Sequence, residues 1–396
     1  MSGASGASGA SGASGASIVS GASGASGASG ASGASGASGA SGAGGYAAGN
    51  ALVTDALIKH RDGIVGNWLG ATTNPVQRAL ENPVNLQSWE PWVRAASIQF
   101  DLLSNIYVTR HAETFTYAGP TGTVTKSSNR SVTVWHMRVT NTGPGNSPRA
   151  TSSRLATIIR PTPAIFMKQL DFLDTYADLR EDRASEIIAQ MTPPVAFWSS
   201  IAYLHPDRTK KTLELLDVAL GLVGAVEQRI KHALACRRPN EYSAQVQPMI
   251  LTPGHGSFPS GHATEAHMIA RILWELRGGT PGDALGVELM RQAARVAANR
   301  TVAGLHFPVD SCCGQMLGLT LARYFVRRAK GNTGLRAWRF DGERFPGSLD
   351  FDFNNLYNTT TASQQGAPYV DSVPTTLPAA SPMLKWLWNE AAAEWV

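Results

Sequence analysis

Apolar residues recur at helical spacing through most of the chain after residue 160. The longest such run begins near Arg208 and ends near Pro239. Its apolar face comprises Leu213, Leu216, Leu220, Val223, Val226 and Ile230. Because residues three and four apart lie on one side of a helix, this run predicts a long helix with one face in the core. The same spacing predicts helices at 283–298 and 308–330.

Two further helices are indicated by the signals at their ends. Thr162 followed by Pro163 is typical of a helix start, because threonine is a favoured N-cap and proline fits the first turn. Another helix begins after Ser260 and stops at the Gly278-Gly279 pair. Shorter helices are expected at 51–64 and within 383–395. The chain is therefore predicted to be mainly helical.

A different pattern occupies residues 111–142. The runs 114–117 and 132–139 are rich in threonine, valine and aromatic residues, and turn residues lie between them. This combination is typical of two strands joined by a turn. We therefore predict a mainly α fold, a helical bundle with a small β-hairpin element near residues 111–142.

These patterns divide the chain into four parts. They are a disordered Ser-Gly-Ala repeat at 1–45, an N-terminal mixed segment with the hairpin at 46–160, a helical catalytic bundle at 161–330, and a C-terminal extension at 331–396. The repeat has almost nothing apolar to bury, so it cannot offset the entropy lost on ordering. It also lacks the proline that a collagen-like helix needs.

Composition restricts the classes of partner. Lys plus Arg number 34 against 29 Asp plus Glu, which gives a net charge of +5. The basic residues are scattered, so no nucleic acid partner is expected. No apolar run reaches the length needed to cross a bilayer, and no transmembrane segment or signal peptide is recognised. The three cysteines form no disulfide framework, which favours a reducing compartment. With no signal peptide recognised, a cytoplasmic protein is expected. The chain could also form a homo-oligomer.

The stretch from His255 to Glu265 has the features of an anion site. Ser260 is a favoured N-cap residue, and Gly261 lets a ligand approach the backbone closely. The first amides of the following helix carry a partial positive charge that suits an oxyanion. His262 beside them can exchange a proton near neutral pH. An ordinary capped helix would give the same local sequence.

Two other sets of residues strengthen the anion-site interpretation. Lys231 is followed by Arg238-Pro239, and Arg300 is followed by His306 and Asp310. With the 259–262 stretch between them, these sets resemble the three signature motifs of the superfamily that unites type 2 phosphatidic acid phosphatases, bacterial acid phosphatases and vanadium haloperoxidases. The resemblance covers roughly residues 200–330.

The resemblance implies a role for each of these residues. In the haloperoxidases, vanadate would be held by Lys231, Arg238, Ser260, Gly261 and Arg300, and phosphate would fit the same site. His306 would be the ligand to vanadium, while His262 would assist peroxide binding. In the phosphatases, His306 would instead attack phosphorus. Asp310 would orient the ring of His306, and His262 would protonate the leaving oxygen.

On this basis the sequence favours a vanadate-dependent haloperoxidase that oxidises halide with hydrogen peroxide. His255 stands where the algal bromoperoxidases carry a histidine, which places it on the halide side of the site. Gln228 stands where the chloroperoxidases carry a tryptophan, so bromide or iodide is expected rather than chloride. The alternative is a soluble phosphatase that hydrolyses phosphomonoesters through a phosphohistidine. A second alternative is an inactive oxyanion-binding protein.

Overall fold

The computed structural model describes residues 51–119, 122–140, 145, 147–377 and 380–395. The Ser-Gly-Ala repeat and its predicted disorder therefore lie outside the described residues. The helices are α1 (Ala51–Ile64), α2 (Pro91–Leu103), α3 (Pro163–Lys168), α4 (Leu170–Ala177), α5 (Arg180–Ala189), α6 (Val195–Ala202), α7 (Lys210–Leu234), α8 (Pro239–Tyr242), α9 (Gly261–Leu276), α10 (Ala284–Val302), α11 (Pro308–Lys330) and α12 (Pro382–Ala392). The long helices predicted from periodicity are confirmed, with ends that move by a few residues.

Helix α9 lies at the centre of the bundle. It packs against α7, α10 and α11, and nearly every residue of α11 is buried. Two glycines of α11 allow this approach, because a Cβ at Gly318 would lie 2.3 Å from the carbonyl oxygen of Thr264. A Cβ at Gly314 would lie 2.8 Å from the carbonyl oxygen of Ser260. The start of α9 is therefore fixed against α11.

The β structure is larger than the predicted hairpin. The strands are β1 (Ile106–Gly119), β2 (Gly122–Thr140), β3 (Arg149–Ile159), β4 (Gly334–Asp341), β5 (Tyr357–Asn358), β6 (Ser363–Gln364) and β7 (Val370–Thr376). Five of them form one sheet in the order β1-β2-β3-β4-β7, in which only the β3–β4 pair is parallel. The mainly α prediction is therefore right about the bundle and incomplete about the sheet.

The additional strands come from segments with weak local patterns. Strand β4 follows α11 directly, and its second half, from Trp338 to Asp341, pairs with the end of β3, from Ala156 to Ile159, far earlier in the chain. Such long-range pairing leaves no trace in local periodicity, whereas the β1–β2 hairpin is local and was predicted. Within the part of the chain that the structure describes, no helix is long and apolar enough to cross a membrane.

Candidate active site

Three buried cations come from the ends of three helical segments. Lys231 lies in the last turn of α7, Arg238 is the N-cap residue of α8, and Arg300 lies in the last turn of α10. Each side chain is at most 2% exposed. Burial of a cation is costly unless polar groups or an anion compensate for the lost water. The partners of these three groups therefore define the site.

Arg238 is the hub of the site. Its Nε donates to the carbonyl oxygen of His255 at 3.0 Å, and Nη1 donates to that of Leu305 at 3.0 Å. Nη1 also lies 3.0 Å from Nε2 of His306, and Nη2 lies 3.1 Å from Nδ1 of His255. An arginine only donates hydrogen bonds, so Nε2 of His306 acts as an acceptor, while Nδ1 of His255 also lies 3.2 Å from the carbonyl oxygen of Gly256.

The ring of His306 is fixed from both sides. Its Nδ1 lies 3.0 Å from Oδ2 of Asp310, which also accepts the amide proton of Phe307 at 3.1 Å. Because Nε2 accepts from Arg238, the proton of a neutral ring is on Nδ1 and points to Asp310. Burial, Arg238 and Lys231 hold the pKa of His306 well below its usual value. The Nε2 lone pair is therefore present at neutral pH.

Lys231 contacts the loop that precedes α9. Its ammonium group donates to the carbonyl oxygens of Gly256 and Ser257, at 3.3 and 3.2 Å, and to that of Pro259. An ammonium group has three protons, and three carbonyls receive them here. Burial lowers the pKa of Lys231 to about 8, opposed by the nearby carboxylate of Glu227. In this arrangement Lys231 fixes the loop, and its ammonium protons are all used by loop carbonyls.

Arg300 has unused donors. Its Nη2 donates to Oε1 of Gln190 at 2.9 Å, while Nε and Nη1 are buried and have no partner among the described residues. Buried polar groups are nearly always hydrogen-bonded, and a buried guanidinium group with two nitrogens, and so three N–H bonds, unused is a strong candidate for contact with an anion. This arginine is the clearest sign of an oxyanion site in the structure.

Gln190 connects Arg300 to His262. The backbone carbonyl of Gln190 lies 2.9 Å from Nε2 of His262, and its side-chain oxygen accepts from Arg300. The carbonyl only accepts, so Nε2 of His262 carries the proton and Nδ1 carries the lone pair. Burial and the charge of Arg300 lower the pKa of His262 to about 3. Without an anion in the site, this ring is neutral at physiological pH.

At the start of α9, Ser260 is the N-cap residue as predicted, but a carboxylate lies where a ligand was expected. The hydroxyl oxygen of Ser260 accepts the amide proton of Ala263 at 3.4 Å. The space beside Gly261, which the sequence assigned to a ligand, faces the carboxylate of Glu227, because a Cβ there would lie 2.7 Å from Glu227 Oε1. Contact of an anion with Ser260 or Gly261 therefore stays a prediction.

Two buried carboxyl groups balance the cations only in part. Burial raises the pKa of Asp310 to about 7, and burial together with Glu227 raises that of Glu265 to about 8. Each close charge pair contributes on the order of 4 kcal/mol at an effective dielectric constant of 20, so these groups strongly affect the charge an anion meets. A dianion near Arg238 and Arg300 would complete this balance.

The structure brings the predicted residues into one connected set. Hydrogen bonds join His255, Arg238, His306 and Asp310, and the loop that Lys231 holds leads into Ser260 and Gly261. Gln190 joins Arg300 to His262 in a second set, and the two sets meet through the backbone, since the amide of His306 donates to the carbonyl oxygen of Arg300 at 3.3 Å. Sequence reasoning missed Gln190 and Glu227. Glu227 carries a weak signal, since it lies one helical turn before Lys231, whereas Gln190 has none.

The cysteines do not take part in this set. Cys236, Cys312 and Cys313 are free and buried, and burial raises the pKa of each thiol. They are therefore poor nucleophiles. Across the described ranges, no group of three or more His, Cys, Asp or Glu side chains is arranged to hold a metal ion.

Comparison with known proteins agrees with the motifs. Residues 214–333 match the PAP2 superfamily. A solved structure, the transmembrane PAP2-type phosphatidylglycerolphosphate phosphatase from Bacillus subtilis, is 17% identical, with a TM-score of 0.34 over 42% of this chain and 88% of that chain. That score is too low to equate the two folds, and no curated protein matches. The segment that carries Lys231, Arg238, His262, Arg300 and His306 therefore belongs to the PAP2 superfamily.

Proposed function

We propose that the chain is a phosphatase that hydrolyses phosphomonoesters, with Nε2 of His306 as the nucleophile. The observation that carries this proposal is the neutral His306 ring, held between Asp310 and Arg238 with its lone pair beside a buried guanidinium group. Members of the PAP2 superfamily are typically phosphatases, so the match at 214–333 supports an enzyme of this kind. The match gives no specific support to the haloperoxidase that the sequence favoured.

The phosphoryl group would bind between Arg300 and Arg238. Nε and Nη1 of Arg300, which have no partner among the described residues, would donate to its oxygens, and Arg238 would exchange its contact with His306 Nε2 for one with phosphate. A guanidinium group suits this role, since its planar donors match two oxygens at once. Lys231 adds positive charge from behind the loop.

The reaction would proceed in two steps. The Nε2 lone pair of His306 attacks phosphorus, the bond to the leaving oxygen breaks, and His262 gives that oxygen a proton. Water then attacks the phosphohistidine, returns a proton to His262, and the N–P bond breaks to release phosphate. The Nδ1 proton stays on His306 throughout, and the charge on the phosphorylated ring is stabilised by Asp310.

Substrate binding would create the acid form of His262. The ring is neutral in the free protein because burial and Arg300 lower its pKa to about 3. A phosphate dianion next to the ring favours the charged form and offsets Arg300, so the pKa rises when substrate binds. The general acid would thus be charged only when a substrate is present.

A haloperoxidase is the second candidate, and His255 is the observation that favours it. The unused donors of Arg300 and the Nε2 acceptor of His306 fit vanadate as well as phosphate, and bound vanadate would supply activation of peroxide for halide oxidation. His255 is half-buried and lies against Arg238, where a halide-side residue is expected. Replacing His255 by alanine would then reduce bromide oxidation and leave vanadate affinity nearly unchanged.

Two assays on purified protein separate the candidates. Vanadate-free protein should hydrolyse a simple phosphomonoester, and a radiolabelled substrate should leave an acid-labile, base-stable label on His306. His306→Ala should abolish both, while His232→Ala, an exposed histidine on the same helix as Lys231, should retain both. Peroxide-dependent bromination by vanadate-loaded protein without hydrolysis would reverse the assignment. Vanadate binding with neither activity would indicate an oxyanion-binding protein.

A further inference from the structure

The side chain of Gln190 is used at both ends of its amide group. Its Oε1 accepts from Nη2 of Arg300 at 2.9 Å and from Nδ2 of Asn299 at 3.1 Å. Its Nε2 donates to Oε1 of Glu186 at 3.0 Å. A reversed amide would point N–H groups at a guanidinium group, which only donates, so these contacts fix the amide in one orientation. Gln190 is completely buried as the C-cap residue of α5 and holds Arg300 from that side.

The contacts of Gln190 continue outward to the surface of the protein. Glu186 lies one turn earlier on α5, and its two carboxylate oxygens each lie 2.8 Å from Nε of Arg295. The side chain of Glu186 is 13% exposed and that of Arg295 is 47% exposed. The carboxylate that contacts Gln190 is therefore already paired with a cation other than Arg300.

This arrangement leaves the positive charge of Arg300 available. Its side-chain contacts within the described ranges are the amide oxygen of Gln190 and, at 3.5 Å, the carbonyl oxygen of Ile187, and neither oxygen carries a charge. A neutral acceptor satisfies a donor of the guanidinium group, whereas a carboxylate in its place would also neutralise the group. Burial lowers the pKa of Arg300 to about 10, so the side chain stays charged at neutral pH.

We propose that Gln190 is a positioning residue for the oxyanion, which fixes the guanidinium group of Arg300 and, as a neutral acceptor, leaves its charge for the bound phosphoryl group. The role rests on the proposed phosphatase function in that the anion is a phosphoryl group. Only the side chain of Gln190 acts on Arg300, while its contact with His262 comes from the backbone carbonyl. Substitution of the side chain should therefore act on anion binding and spare the proton donor.

Two single variants give opposite results for a positioning role and a purely structural one. Gln190→Met keeps the length of the side chain and removes the acceptor, so orthovanadate and inorganic phosphate should bind about two- to tenfold more weakly. Gln190→Glu keeps an acceptor but places a negative charge against Arg300, so both anions should bind more than about tenfold more weakly. If Gln190 only satisfied buried donors, Gln190→Glu would be the milder change. Calorimetric affinities for Gln190→Glu that equal or exceed those for Gln190→Met would overturn the proposal.

An exchange variant keeps the net charge constant. In Gln190→Glu the new carboxyl group would lie against Glu186, and two adjacent carboxyl groups favour a shared proton. Adding Glu186→Gln removes this complication and again pairs an amide with a carboxylate. The exchange variant should still bind orthovanadate more than about tenfold more weakly than the wild type, because the carboxylate now contacts Arg300. Loss of the ion pair with the half-exposed Arg295 has little effect on stability. Wild-type affinity in the exchange variant would contradict the proposal.

Kinetics separate the positioning role from a loss of folded protein. With a simple phosphomonoester as substrate, Gln190→Met should raise KM and leave kcat nearly unchanged, because binding of the anion is weakened while His262 keeps its backbone contact. A smaller amount of folded enzyme would instead lower the apparent kcat at constant KM. Gln315→Met is the matched control, since Gln315 is also completely buried and donates to the carbonyl oxygen of Phe353 at 2.7 Å. It should retain the KM and the anion affinities of the wild type.

The two kinds of measurement separate the role of Gln190 from the proposed function. If the anions bind in the expected order and no phosphomonoester is hydrolysed, the phosphatase function fails and the role of Gln190 survives. If a phosphomonoester is hydrolysed and all variants bind the anions equally, the role of Gln190 fails and the phosphatase function survives. A wild-type protein that binds neither orthovanadate nor phosphate would refute both.

Discussion

Nδ1 of His306 lies 3.0 Å from Oδ2 of Asp310, one helical turn further along the chain. The same carboxylate oxygen receives the amide proton of Phe307, so the first turn of α11 fixes both the carboxylate and the ring. Arg238 contacts the opposite ring nitrogen. The carboxylate of Asp310, which binds a backbone amide at the start of α11, thus also selects the tautomer of His306, the proposed nucleophile.

Asp310→Asn should separate this orienting role from stability. An asparagine oxygen can accept the same two protons, so the ring keeps its tautomer, but the negative charge that stabilises a phosphorylated imidazole is lost. We expect kcat to fall by about 10- to 100-fold, as for other residues that orient a reactive histidine. The variant should still fold, because asparagine has nearly the size of aspartate and its side-chain oxygen can keep both hydrogen bonds. A folded variant with the kcat of the wild type would make Asp310 structural only.

Arg300→Ala should weaken phosphate or vanadate binding by more than tenfold. Loss of one close cation exceeds the roughly 1.4 kcal/mol that a factor of ten represents. Arg291→Ala is the matched control, since Arg291 lies on the same helix, is largely exposed and pairs with Glu288. Calorimetric titration with orthovanadate measures both variants. Equal affinities for the two would place Arg300 outside the anion site.

The sequence predicted the elements and the residues that have local signals. The long helices follow from apolar spacing, and Ser260 follows from its N-cap chemistry. The contacts among the site residues could not be predicted, because they depend on how the ends of α7, α10 and α11 meet. The three carbonyls that bind Lys231 belong to a loop some 25 to 28 residues later in the chain.

The same limit explains the residues that were missed. Gln190 reaches Arg300 across 110 positions, and its role depends on where α5 ends against α10. A role that depends on long-range packing cannot be predicted from the neighbouring sequence. The parallel pairing of β3 with β4 could not be predicted for the same reason.

His267 should make the folded state sensitive to acid. It is fully buried on α9, its Nδ1 lies 2.7 Å from the carbonyl oxygen of Ala263, and burial lowers its pKa to about 4. An unfolded histidine has a pKa near 6.5, so the unfolded state binds more protons between these values. The contribution to stability is complete above about pH 6.5 and is lost as the pH falls toward 4.

His267→Leu measures this contribution by difference. The wild type should lose roughly 3 kcal/mol more than the variant over that interval, by the conversion of 1.36 kcal/mol per pKa unit. Asp310 and Glu265 have raised pKa values and act in the opposite direction, but they are present in both proteins and cancel. Denaturant unfolding at several pH values gives the difference, with the exposed His232→Leu as control. Parallel curves for His267→Leu and wild type would refute the prediction.

Gly261→Ala should disturb the site through Glu227. The new Cβ would lie 2.7 and 2.9 Å from the two carboxylate oxygens, closer than real Cβ atoms approach their neighbours, and Glu227 is 1% exposed with little room to move. Overpacking of this kind costs about 1–3 kcal/mol. The variant should therefore melt at a lower temperature. It should also lose hydrolysis, because a shift of Glu227 changes the charge beside Lys231. Gly254→Ala is the matched control, since a Cβ at that position in the preceding loop meets nothing within 4 Å. If Gly261→Ala and Gly254→Ala have equal melting temperatures and activities, the close packing of Glu227 against the start of α9 does not constrain the site.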